Sequence, residues 1–284
     1  MSIRILQQRL QTYACRTAQE EQQAVREITQ EVVLAALGRG DFFKHALFHG
    51  GTCLRIFRGL NRFSEDLDFL LREPDPRFSL KHHLEHLRNE LAAYGYDIEI
   101  TDRSNAGGAV QKAFLKDDSL GKMIDLKHTD QRGPLQKIRI KLEVDTRPPA
   151  GSGAELQYLD FPFLSAVATQ DAPSLFAGKV HALLCRPYVK GRDWYDFLWY
   201  TSQGTGLNET FFSAAINQMG PWQGRGILAN KAWVVQALEA KISSLDWKHA
   251  VDDVRRFVRE AEQPSLGLWS KDLFLHQLGK WAQA

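Results

Sequence analysis

Residues 46–71 restrict the fold more than any other stretch. A short apolar run, Ala46–Phe48, leads into His49, Gly50, Gly51 and Thr52. A short helix carrying Leu54, Ile56 and Phe57 is then expected, and Arg58–Glu65 form a loop. A second strand follows at Leu67–Leu71, and Pro74 and Pro76 close it. Along that strand Asp66 and Asp68 alternate with Leu67 and Phe69. Side chains two apart share a strand face, so both carboxylates point one way and the apolar pair points into a core.

This order of elements carries a chemistry. Glycines after a strand let backbone approach a ligand closely. The helix start that follows offers free N–H groups to phosphate oxygens, and Thr52 adds a hydroxyl. Two carboxylates on one face can hold hard divalent cations, which stabilise the entering and leaving oxygens of phosphoryl-type transfer. A third carboxylate is expected from a neighbouring strand. The clearest strand is Ile138–Val144, with Arg139, Lys141 and Glu143 on its polar face and Asp145 continuing it. Glu143 sits deeper in the alternation and is preferred; Asp145 stays open.

Elsewhere the periodicity predicts two helices within 3–38, a helix at 79–94, and strands at Tyr96–Ile100, Val110–Leu115 and Met123–Leu126, with a turn at Gly107-Gly108. Pro148, Pro149, Gly151 and Gly153 read as a linker-like break. Helical spacing then returns near 173–187, 192–203, 208–219, 229–245, 247–259 and 270–283. The expected class is α+β. A nucleotide-handling core with a mixed twisted sheet and flanking helices spans 1–160, and an all-helical domain spans 161–284.

The second chemical block is Phe176-Ala-Gly-Lys-Val-His-Ala-Leu-Leu-Cys-Arg186, then Lys190-Gly-Arg-Asp-Trp-Tyr-Asp-Phe197. Lys179, Arg186 and Lys190 fall near one helical face, with Pro187 bending or ending the helix. A lysine and an arginine aimed at one place suit a triphosphate. Asp193 and Asp196 share a face three residues apart, and Arg192 is placed to pair with Asp196. Trp194, Tyr195, Trp199 and Tyr200 read as core or interface. His82, His83 and His86 have helical spacing without carboxylate partners and read as solvent-facing.

Bulk properties exclude little. The net charge is +2, from 36 Lys and Arg against 34 Asp and Glu, so local clusters of basic residues such as Arg55, Arg58 and Arg62 matter more than the total. Three cysteines, an odd number without zinc spacing, point to a reducing compartment. No apolar run of membrane-spanning length occurs, and residues 1–10 lack the apolar segment of a secretory leader. A cytoplasmic enzyme without membrane contact is expected.

Together the blocks resemble a known group. Gly50-Gly51-Thr52 followed by Asp66-x-Asp68 is similar to the DNA polymerase β-like nucleotidyltransferase superfamily. The string through Arg62-Phe-Ser-Glu-Asp-Leu-Asp-Phe69, with the Lys179…Arg186…Arg192-Asp-x-Tyr-Asp196 block, resembles the AbiEii/AbiGii (MenT-like) toxins within it. The resemblance implies a type IV toxin that moves a nucleoside monophosphate from an NTP to an acceptor such as the tRNA 3′ end, with a cognate antitoxin as partner. It implies Mg²⁺, with Mn²⁺ as substitute, on Asp66, Asp68 and a third carboxylate. Gly50, Gly51, Thr52, Arg62, Ser64 and Arg186 would lie on the NTP. Lys179 would be catalytic, together with Asp193 or Asp196. The same core could instead modify a protein or a small molecule, or hold RNA or a partner without catalysis. The labelled product would discriminate these.

Overall fold

The computed structural model describes residues 2–104, 108–117, 124–129 and 137–284. The helix α1 (Ser2–Gln11) is followed by α2 (Ala18–Arg39) and the short α3 (Phe42–His45). The motif region gives β1 (Ala46–His49), α4 (Gly50–Arg58) and β2 (Leu67–Leu71). Then come α5 (Leu80–Ala92), β3 (Ile98–Asp102), β4 (Val110–Asp117), β5 (Ile138–Asp145), β6 (Ala154–Leu159) and β7 (Ser165–Gln170). Six helices follow with a 3₁₀ segment, Glu260–Leu268, before the last: α6 (Ala172–Cys185), α7 (Gly191–Ser202), α8 (Glu209–Gln218), α9 (Lys231–Ser243), α10 (Trp247–Arg255) and α11 (Lys271–Gln283). Among the described residues no helix is long and apolar enough to cross a membrane.

The seven strands form one mixed sheet in the order β3-β4-β5-β2-β1-β7-β6. β2 runs antiparallel to β1 and parallel to β5, and β1 runs parallel to β7. A parallel pair needs a long crossover; between β2 and β5 that path carries α5, β3 and β4. The class is α+β, as the sequence implies.

Two compact units divide the chain. One comprises Met1–Arg58, Phe63–Pro148 and Glu155–Thr169; the other comprises Gly59–Arg62, Pro149–Ala154 and Gln170–Ala284. The first unit is organised around α2, which is capped by Thr17, whose hydroxyl accepts from Glu20 N, while Glu20 accepts from Arg16 N. From Ala24 to Leu37 this helix is buried on nearly every side. Its apolar residues pack into the core, and its buried Glu21, Glu27, Gln30 and Glu31 fasten neighbouring segments. The second unit is a helical body around Phe176, Trp194, Phe197, Tyr200 and Phe274, all nearly inaccessible.

Three readings change. The break at Pro148–Gly153 is a loop as expected, but the strands β6 and β7, not anticipated from the sequence, follow it. Ile124–Leu126 are not a strand; Met123 and Gly107 lie outside the described residues. His83 and His86 are half-buried, not solvent-facing, and His83 stacks on Phe78 with ring centroids 5.5 Å apart. Burial, with the nearby His82 and His45, pushes the His83 imidazole down to about 4.

Candidate active site

In the first unit, β1 ends at His49 and the chain turns into α4 at Gly50 with φ +80°. That left-handed angle favours glycine. A second reason is contact: a Cβ on Gly50 would meet Asp68 Oδ2 at 2.8 Å. The Asp68 carboxylate therefore rests directly on the strand-to-helix turn.

Register sets the rest. Asp68 lies opposite His49 on β1 and opposite Glu143 on β5, while Asp145 lies opposite Leu70, one step further along. Leu67 and Phe69 are buried and Asp68 is not, as alternation requires. Asp66 precedes β2 by one residue and is half-buried.

Three successive carbonyls leading to this point are tied down. Gln30 Nε2 donates to Ser64 O at 3.2 Å and to Glu65 O at 2.9 Å. The Thr52 hydroxyl donates to Asp66 O. Thr52 is thus committed to the backbone beneath Asp66, where the sequence reading had it facing a ligand. Arg55 on α4 is held by Glu27 on α2 at 2.8 Å, and Glu27 also accepts the Tyr13 hydroxyl at 3.0 Å. Helix α2 therefore holds both the loop before Asp66 and the helix after Gly50. Sequence reasoning missed Gln30 and Glu27, and read Arg55 only as one of a basic cluster. The available signal was a polar run, Thr29-Gln30-Glu31, inside a helix otherwise apolar from Ile28 to Leu37.

Lys112 and Lys141 approach the Glu143 carboxylate at 2.9 and 2.7 Å. Burial opposes ionisation of Glu143, but hydrogen bonds from the two lysines overcome it and hold the carboxyl below its usual range. Lys141 is shifted upward: burial works against its charge, and Glu143, with Asp66 and Asp68, outweighs burial. Asp145 goes the other way, raised by burial. Among the described residues no group of three or more His, Cys, Asp or Glu side chains stands ready to hold a metal ion. The ligand-like oxygens of Glu143 are occupied by ammonium groups instead.

The second unit gathers Arg62, Lys179, Arg186, Asp193 and Asp196. Arg62 donates from Nε and from a terminal nitrogen to the two oxygens of Asp196, each at 2.6 Å, a two-pronged pair with both side chains buried. Lys179 Nζ lies 2.6 Å from Asp193 and 2.8 Å from Asp196. Arg186 Nε lies 3.1 Å from the other Asp193 oxygen. Burial would raise the Asp193 carboxyl, but Lys179, Arg186 and Lys190 bring it down to about 2. Burial would likewise lower Lys179, and the two aspartates hold it above its usual range. Where an Arg192–Asp196 pair was expected, Asp196 takes Arg62 and Lys179, and the Arg192 guanidinium lies 4.1 Å over the Phe257 ring. Helix α6 stops at Cys185, so Lys190 caps α7 rather than extending the Lys179 face.

A mixed sheet that sets carboxylates beside a Gly-Gly helix start, on such a chain, defines a nucleotidyltransferase fold. The sequence model of the nucleotidyl transferase AbiEii toxin family, of type IV toxin–antitoxin systems, matches residues 32–276, and the chain belongs to that family. Two solved structures share the fold. MenT4, a nucleotidyltransferase toxin from Mycobacterium tuberculosis H37Rv, is 17% identical with a TM-score of 0.52, covering 98% of this chain and 99% of its own. JHP933 from Helicobacter pylori is 16% identical with a TM-score of 0.52, covering 93% and 91%. No curated protein sequence matches the chain.

Proposed function

We propose that the protein transfers a nucleoside monophosphate from an NTP to the 3′ end of an RNA acceptor, tRNA first, as a toxin restrained by a cognate antitoxin. The observation that carries this reading is the register of Asp68 with Glu143, with Asp68 seated on the Gly50 turn. Asp66, Asp68 and Glu143 are hard oxygen donors, as Mg²⁺ or Mn²⁺ requires. Asp66 and Asp68 are placed for that role by the start of β2 and its register, and Glu143 would join them once Lys112 and Lys141 turn aside. A divalent cation held there would neutralise charge on the reacting phosphate oxygens.

The chain's own groups supply the rest. Gly50 and Gly51 let a phosphate approach the free N–H groups opening α4. Thr52 and Gln30 fix the backbone from which Asp66 projects, and the Ser64 hydroxyl lies on the same loop. The family resemblance assigns Lys179 to the triphosphate; within the second unit Asp193 and Asp196 fix the position of its ammonium group. A bond forms from the acceptor oxygen to the α-phosphorus as the bond to pyrophosphate breaks.

Purified protein incubated with total tRNA, Mg²⁺ and each labelled NTP should label RNA, and chelation should stop it. Asp66→Ala or Asp68→Ala should lower labelling at least a hundredfold while leaving the melting temperature near that of the parent. Full labelling by either variant would sink the assignment. Label appearing in protein or a small molecule would move the acceptor to that class.

A further inference from the structure

The outer half of the sheet has two unlike faces. Ala113 and Leu115 of β4 and Ile140, Leu142 and Val144 of β5 are buried. Alternation turns Lys112, Phe114 and Lys116, with Arg139, Lys141 and Glu143, to the opposite face. There Lys116 lies beside Arg139, Phe114 beside Lys141 and Lys112 beside Glu143. Strand β3 adds Glu99 beside Lys116 and Thr101 beside Phe114. The Arg103 guanidinium sits 5.5 Å over the Phe114 ring. Arg103, Arg139 and Glu99 are exposed, and Lys112, Phe114, Lys116 and Lys141 are half-exposed. Five cations stand against three carboxylates, Glu99, Glu143 and Asp145; Lys112 and Lys141 pair with Glu143, and Lys116 lies 3.3 Å from Glu99 at the exposed edge.

This composition is unlike an ordinary solvated sheet face, because a half-exposed ring lies in the middle of the charge, covered on one side by the mobile end of a single arginine, Arg103. A ring among cations on an open antiparallel face suits single-stranded nucleic acid: bases stack on the ring and phosphates pair with the cations. Duplex would use the cations but leave the ring idle. The stripe also has a direction, since it ends at Glu143, the register partner of Asp68. Strand spacing and rise put Phe114 about 12 Å from Asp68.

We infer that the open face of β3, β4 and β5 is the platform for the single-stranded end of the RNA acceptor. Phe114 stacks on a base, and Lys116 and Arg139 take its phosphates. The direction of the strand, toward Asp66 and Asp68, rests on the transferase reading; the binding itself does not.

The test uses the full chain with a fluorescent single-stranded RNA and the matching duplex, in chelator and without NTP. The single strand should bind at least tenfold tighter. Lys116→Ala with Arg139→Ala should weaken it roughly tenfold and lower the slope of log affinity against log salt by about 1.4. Phe114→Ala should weaken binding about tenfold with the slope unchanged, and Phe114→Tyr should restore it. Lys81→Ala with Arg88→Ala, on the exposed side of α5, should change nothing. Circular dichroism melts identify any variant that fails to fold, and the Tyr variant then decides. Wild-type affinity in the folded Lys116/Arg139 variant, equal binding of duplex, an equal loss in the α5 variant, or no RNA binding by the parent would each overturn the platform. Label transfer from NTP to any acceptor judges the transferase reading independently of these results.

Discussion

A single side-chain amide holds the approach to the candidate metal pair. Gln30 is nearly inaccessible, and its Nε2 serves two consecutive carbonyls, Ser64 O and Glu65 O. Its own Oε1 has no hydrogen-bond partner, so the orientation of the amide is set by the loop it holds. Replacing a buried donor leaves its acceptors unsatisfied, at about 1–3 kcal/mol. Gln30→Ala should therefore lower stability by about that amount. It should also raise the Mg²⁺ concentration needed for half-maximal labelling several-fold, because Asp66 loses its fixed origin. Gln30→Glu, equal in shape but with an acceptor facing two carbonyls, should be worse on both measures. A stability loss with an unchanged Mg²⁺ dependence would reduce Gln30 to a structural residue.

At the scale of elements, glycine again marks the constraint. Gly191 opens α7 where α10 crosses it: a Cβ there would come within 1.9 Å of Ala250 O and 3.1 Å of Val254 Cβ, and Gly191 N donates to Asp253 at 2.8 Å. Gly191→Ala must push α10 away, so a loss of about 1–3 kcal/mol is expected, read as a drop in melting temperature. Most elements were legible because their burial follows their periodicity. The helices of the second unit and the strands carrying Asp68 and Glu143 largely obey it. Strand β6 inverts it: Leu156 and Tyr158 point to solvent, while Glu155 turns inward to Arg58 and Thr169. An Ala-Glu-Leu-Gln-Tyr-Leu run therefore reads the wrong way round. Strand β7 ends in buried Thr169 and Gln170, polar residues that pattern reading assigns to a loop. The paired aspartates were visible because carboxylates interrupt an apolar strand. Gln30 was not, because a polar residue in a helix reads as its wet side.

For the whole molecule, the buried charges of the second unit contribute to its response to acid. Asp193 is 3% exposed, and its carboxyl is depressed from 3.8 to about 2. A depressed carboxyl adds stability that is fully present above its unfolded value and is lost as pH falls through the folded one. The contribution is about 2 kcal/mol, and it should disappear between about pH 4 and pH 2. Denaturant unfolding of the parent across that range should show the decline. Asp193→Asn should be less stable at neutral pH, since Lys179 loses a partner, and should show a flatter profile below pH 4. An equally steep decline in the variant would place the acid response elsewhere.

The parallel pairing of β2 with β5 also has a meaning in time. Asp68 and Glu143 face each other across neighbouring strands but are 75 residues apart in the chain. On a ribosome adding roughly 5–20 residues per second, the partner strand follows Asp68 by about 4–15 s. Through that interval the nascent chain carries the full aspartate motif with no neighbour to complete it. In this member of a toxin family, the carboxylate pair proposed to hold the metal therefore cannot assemble until half the chain has been made.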